Sequence, residues 1–121
     1  MGDVQLDHMH LRVRDLDASR RFYVAVAEAL EFGPIKAGDG WFELGELFVS
    51  ADGPATTNLH FAFKAPDRSV VERFYAAALA AGGRDNGAPG YRPRYHRGYY
   101  SAYVFDLDGN NIEAVVHERS P

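Results

Sequence analysis

Residues 8–25 read HMHLRVRDLDASRRFYVA, and residues 60–77 read HFAFKAPDRSVVERFYAA. The two stretches start 52 residues apart and share a histidine, an aspartate seven residues later (Asp15, Asp67) and the tripeptide RFY at residues 21–23 and 73–75. Identical offsets for three unrelated features point to an internal repeat, and a repeat outranks any local pattern when a fold is read. The chain reads as two copies of one unit.

Each copy opens with period-two alternation, the mark of a half-buried strand. Met9, Leu11 and Val13 oppose His8, His10 and Arg12; Leu59, Phe61, Phe63 and Ala65 oppose His60, Ala62 and Lys64. The aspartate that follows suits a helix N-cap, where its carboxylate accepts from free backbone N–H groups. Helical spacing comes next: Phe22, Val26 and Ala29 in one copy, Val71, Phe74, Ala78 and Leu79 in the other. Gly33 and Gly82–Gly83 are the expected stops. EFGPIK, WFEL and ELFVSA are three short strand candidates after the first helix. After the second, DNGAPGYRPRYHRG reads as irregular, and YYSAYVFD and NIEAVVH as strands joined by the turn DLDGNN. The expected class is α+β: one domain of two βαβββ modules, about 4–52 and 57–118, whose mixed sheets carry helices on one face and leave the other to form a cleft.

Composition narrows the function. The 121 residues are 46% apolar and 25% charged, ordinary for a globular domain. Cysteine is absent, which excludes disulfides, thiolate metal sites and cysteine nucleophiles. No apolar run approaches the roughly 20 residues of a membrane span, and the start, MGDVQLDH, lacks a basic region before an apolar stretch. The expectation is a cytoplasmic protein. A net charge of −4 argues against nucleic acid as partner. Arg92, Arg94, His96 and Arg97 form one basic cluster that suits an anionic small molecule or a solvated loop.

The same alternation puts His8, His10, Arg12 and His60 on the cleft side, together with Glu113 and His117 of the last strand. A carboxylate inside IEAVV is costly unless paired or bound to a metal. Two histidines and a glutamate from three strands make a metal-site hypothesis, since imidazole and carboxylate bind first-row divalent ions and three protein ligands leave positions open for substrate. The competing reading has hydrogen-bonded histidines and Glu113 paired with an arginine such as Arg12. Symmetry separates the first two histidines: His8 has a counterpart in His60, whereas that of His10 is Ala62.

LDHMHLRVRDLDASRRFY, NLHFAFKAPD and VFDLDGNNIEAVV together resemble the vicinal oxygen chelate superfamily, the group of glyoxalase I, extradiol dioxygenases and fosfomycin and bleomycin resistance proteins. The resemblance spans nearly the whole chain. It implies paired βαβββ modules whose curled mixed sheets form a metal-binding cleft around a divalent ion (Zn, Ni, Fe or Mn), with ligands His8, His60 and Glu113. Glyoxalase I carries a further glutamate that serves as base. Aligning ELFVSA with NIEAVV puts Phe48 there, unless Glu43 or Glu46 reaches inward from a shifted register. RYHRGYYSAYVFDLDGNNIE also resembles the dioxygenase signature at His96, Tyr103, Asp106, Gly109 and Glu113. It departs from that signature at Arg94, Ala102 and Leu107.

The leading expectation is therefore a metal-dependent lyase or isomerase resembling lactoylglutathione lyase, with the ion acting on neighbouring substrate oxygens. The alternatives are an extradiol-type dioxygenase and a metal-free ligand-sequestering resistance protein. His10 and Tyr103 are the candidate catalytic residues. Arg12, Arg94, His96 and Tyr100 are candidates for contacting a small-molecule, anionic substrate. Exposed sheet edges suggest a homodimer.

Overall fold

The computed structural model describes residues 3–118. The first set of elements is β1 (Met9–Arg12), α1 (Leu16–Ala29), β2 (Lys36–Gly38), β3 (Trp41–Leu44) and β4 (Leu47–Ser50). The second is β5 (His60–Lys64), α2 (Arg68–Ala80), β6 (Arg84–Tyr91), β7 (Tyr99–Phe105) and β8 (Asn111–His117). Each set forms a four-stranded mixed sheet, in the orders β1-β4-β3-β2 and β5-β8-β7-β6. The first strand of each pairs parallel with the last, and the remaining pairs are antiparallel. This is the α+β, tandem βαβββ architecture that the repeat predicts.

The local signals act as their chemistry requires. Asp15 caps α1 by accepting from Ala18 N at 3.1 Å, and Asp67 caps α2 by accepting from Val70 N at 3.0 Å. Both helices close with the same return bond, Phe32 N to Ala27 O and Gly83 N to Ala78 O. In α2 the left-handed residue is Gly82, with φ of 106°. In α1 it is Glu31, with φ of 62°, so Gly33 is not the stop that the sequence suggests.

Two strand expectations also change. EFGPIK is not a strand; β2 begins at its last residue, beyond the Gly33–Pro34 break. The stretch read as irregular from residue 85 contains most of β6, whose ladder to β7 shifts register between Asp85 and Gly87 and again between Gly87 and Gly90. Bulges of this kind absorb glycine and proline in a strand and hide its alternation.

Leu11, Val13, Phe42, Val49, Phe74, Val104, Ile112 and Ala114 form one continuous buried core with the inner faces of α1 and α2. The helices also pack on each other, and Tyr23 of α1 donates to the buried Asp106 of the β7–β8 turn at 2.8 Å. One core thus serves both modules. The helix-free face of each sheet is left for chemistry. Among the described residues β1 pairs only with β4 and β5 only with β8, so each sheet keeps an open edge at its first strand. No helix among them is long and apolar enough to cross a membrane.

Candidate metal centre

Glu113 sits in the middle of β8, flanked by Ala62 of β5 and Tyr103 of β7. It is 1% exposed. Both its oxygens have partners on the open face of the sheet. His60 Nε2 donates to Oε1 at 2.8 Å, and the Tyr99 hydroxyl donates to Oε2 at 2.5 Å. Burial, then the bond to Glu113, pushes the Tyr99 phenol above its ordinary range. Tyr99 therefore stays a hydrogen-bond donor and locks the carboxylate in one orientation.

Behind Tyr99 stands a pair of histidines. His96 Nε2 lies 2.8 Å from His117 Nδ1, and His96 Nδ1 lies 2.8 Å from the Arg97 carbonyl oxygen, to which it donates. Tyr99, Ser101 and Tyr103 share one face of β7, as alternate strand residues must. Ser101 Oγ and the Tyr103 hydroxyl are buried on this face, where the Tyr103 hydroxyl interacts with Ser101 and Tyr99. Burial raises the Tyr103 phenol as well.

His60 and Glu113 suit a divalent ion chemically, as imidazole nitrogen and carboxylate oxygen. In this structure the two are joined by the 2.8 Å hydrogen bond, so Nε2 would give up its proton to bind an ion. The third expected ligand stands elsewhere. His8 precedes β1, has a side chain 72% exposed, and bonds Asp7 through Nδ1 at 2.8 Å. Among the described residues of one chain, no three His, Asp or Glu side chains converge. One chain carries two donors of the set.

The other sequence candidates divide by sheet. His10 and Arg12 lie on the open face of the first sheet, in a network with Ser50 and Asp52. Arg12 thus pairs with Asp52 and not with Glu113. The ladders set His10 opposite Phe48 and Ala62 opposite Glu113, so Phe48 occupies the first-sheet counterpart of Glu113. Glu43 neighbours Phe48 on β3, and Glu46 belongs to the β3–β4 turn; neither takes that place. Arg94 turns toward Tyr95, its guanidinium 5.0 Å from the ring centroid. Tyr100 is withdrawn as a substrate contact: it faces α2, where its hydroxyl donates to Glu72 at 2.6 Å.

The sequence pattern of the Glyoxalase/Bleomycin resistance protein/Dioxygenase superfamily matches residues 5–114. The chain belongs to this superfamily. Members with solved structures share its fold. A glyoxalase/bleomycin resistance protein from Albidiferax ferrireducens T118 is 30% identical with a TM-score of 0.82, over 91% of this chain and 97% of that one. A lactoylglutathione lyase from Agrobacterium tumefaciens is 23% identical with a TM-score of 0.64, over 95% and 94%. TioX from Micromonospora sp. ML1 is 19% identical with a TM-score of 0.70, over 95% and 100%. No curated protein sequence matches the chain. Superfamily membership accounts for the repeat, but Tyr99 was not singled out for the site from sequence. Its parity with Tyr103, four residues along β7, is the signal that finds it.

Proposed function

We propose that this superfamily member is a metal-dependent enzyme for a small molecule, of the lyase or isomerase type, with His60 and Glu113 as its metal-holding pair. The observation that carries the reading is the buried Glu113 carboxylate, held between an imidazole and a phenol on an open sheet face. A buried carboxylate is expensive to keep ionised unless it is paired or coordinated. A divalent ion bound there supplies Lewis-acid stabilisation of negative charge on neighbouring substrate oxygens.

The chain's own residues do the rest. Tyr99 holds the far oxygen of Glu113 so that the near one stays beside His60. Tyr103 and Ser101 offer hydroxyls to a substrate oxygen. With Phe48 where a carboxylate base would stand, His10, its neighbour on β1, is a side chain of the first sheet that can hold a proton. His8 completes the ligand set from a second copy of the chain, docked along the open edges of β1 and β5. Open edges favour such pairing.

The experiment is metal analysis of tag-free protein, for the wild type and for the His8→Ala and His60→Ala variants. The wild type is expected to carry stoichiometric metal, and each variant little. Mixing the two variants in equal amounts under conditions that exchange subunits is expected to restore about a quarter of the sites, since about half of the dimers become heterodimers and each of these keeps one intact ligand set of two. Metal-free wild type overturns the metal reading. Metal loss without recovery on mixing overturns the shared site.

A further inference from the structure

The basic residues that cluster in sequence part company in the fold. Arg94 turns to Tyr95, His96 pairs with His117, and Arg97 is exposed. Arg92 takes another course. Tyr91, the residue before it, packs edge-on against Tyr100 and donates to Glu118 at 2.7 Å. The Arg92 backbone N–H extends the ladder to the Tyr99 carbonyl oxygen at 2.7 Å. Strand parity therefore turns Arg92 to the open face of the second sheet, where its guanidinium carbon stands 5.4 Å from the centroid of the Tyr103 ring.

Two glycines of β6 make room for the guanidinium. A Cβ on Gly90 would come within 2.9 Å of Arg92 Nη1, and a Cβ on Gly87 within 3.3 Å of Nη2 and 2.9 Å of Tyr103 Cδ1. Nη2 donates to the Ala88 carbonyl oxygen at 2.7 Å, which pins the group in place. The side chain is half-buried, yet among the described residues no Asp or Glu stands within ion-pair distance of it. An arginine has five N–H donors in a planar fork, a match for the paired oxygens of a carboxylate or phosphate. A cation that is oriented, partly desolvated and without a counter-charge is complementary to an anion brought from outside.

The strand order fixes where that anion sits. The sheet runs β5, β8, β7, β6, so His60 and Glu113 lie on one side of Tyr103 and Arg92 on the other. The His60 and Tyr103 ring centroids are 6.0 Å apart. We infer that Arg92 determines the specificity of the site by holding an anionic oxyacid group of the substrate, a carboxylate or a phosphate. That group lies beyond the Tyr103 ring, about 5–7 Å from the oxygens that face the ion, or between one and one and a half strand spacings. Gly87 and Gly90 are the positioning residues. The inference rests on the metal reading for the chelated end of the substrate, whereas the contact between Arg92 and the anion needs no ion.

Hydroxamates test it, since they present two neighbouring oxygens to a divalent ion and leave the far end free to vary. The probes are the monohydroxamate of succinic acid (terminal carboxylate), 3-phosphonopropanohydroxamate (terminal phosphonate) and butanohydroxamate (terminal methyl), titrated calorimetrically into zinc-loaded protein. At least one anionic probe is expected to bind about ten-fold or more tightly than butanohydroxamate, the worth of a hydrogen bond to a charged group, and the tighter of the two names the oxyacid. Arg92→Gln should bring both down to butanohydroxamate, whereas general loss of structure would weaken all three. Gly90→Ala keeps the charge but pushes the guanidinium from its seat, and should cut the preference several-fold. Equal binding of the three probes by the wild type, or a preference that survives Arg92→Gln, overturns the inference. A second arm uses metal-stripped protein and the Arg92 Nε–H NMR signal, assigned by its loss in Arg92→Gln. Succinate or inorganic phosphate should shift that signal saturably, and 1,4-butanediol should not. This arm reads the anion contact whether or not the chain retains metal, so its failure and that of the metal reading are told apart. A signal unmoved by both anions overturns the contact.

Discussion

The two sheets present the same ladder with opposite chemistry. Phe48 stands in β4 where Glu113 stands in β8, Trp41 in β3 where Ser101 stands in β7, and Glu43 where Tyr103 stands. Ser50, which anchors His10, corresponds to Val115. Toward the helices the correspondence is conservative: Leu47 matches Ile112, and Val49 matches Ala114. The shared core thus constrains one face of each sheet, while the other is free to diverge. In this chain it has diverged into a stacking wall and a polar wall.

Breaking the joint between the modules should have the largest effect. Asp106 accepts from Tyr23, from the backbone N–H groups of Asp108 and Asn110, and is 4% exposed. Asp106→Ala strands these donors and should cost about 3–5 kcal/mol in urea unfolding. Tyr23→Phe, which removes one of the bonds, should cost about 1–2 kcal/mol. A loss under about 1 kcal/mol for Asp106→Ala would show that the modules do not depend on this joint.

Next come the paired positions themselves. Glu113→Gln keeps the shape of the side chain but can accept from only one of His60 and Tyr99. It should lower stability by about 1–2 kcal/mol while abolishing metal retention. The reciprocal change, Phe48→Glu, brings the polar pattern to the first sheet. It should raise metal affinity, measured by competition with a chelator, and remove the stack with Trp41. If Phe48→Glu leaves metal affinity unaltered, the equivalence of the two positions is structural only.

The smallest effect concerns the helix side of β7. The bond to Glu72, then burial, holds the Tyr100 phenol at about 12, against about 10 for an ordinary tyrosine. Between those values the folded state binds the proton that the unfolded state has lost, so stability should fall as pH rises from 10 to 12. Tyr100→Phe should shallow that decline in alkaline unfolding curves. An unchanged slope would place the alkaline sensitivity at Tyr99 or Tyr23.

Much of this architecture is legible in the chain because it rests on local rules. Period-two alternation locates β1, β5, β7 and β8, and Asp15 and Asp67 announce the helices through a capping chemistry that needs no distant partner. The counterpart of Glu113 could be named as Phe48 by matching apolar positions alone. β6 was hidden because its glycines and Pro89 fit a strand only where bulges shift the ladder. Tyr100 was misplaced because three tyrosines within five residues look alike until strand parity sends Tyr99 and Tyr103 to one face and Tyr100 to the other.

By itself, then, the sequence determined the tandem repeat, its α+β class and which residues carry nitrogen and oxygen donors, since periodicity and residue type are properties of the chain. The tertiary structure decided which donors meet. It joined Glu113 to His60 and Tyr99, fixed His10 through Ser50 and Asp52, and set His8 apart from both. The reason is distance along the chain: 53 residues separate His60 from Glu113 and 40 separate His10 from Ser50. Only the parallel pairing of the first and last strand of each module brings such positions into hydrogen-bond range.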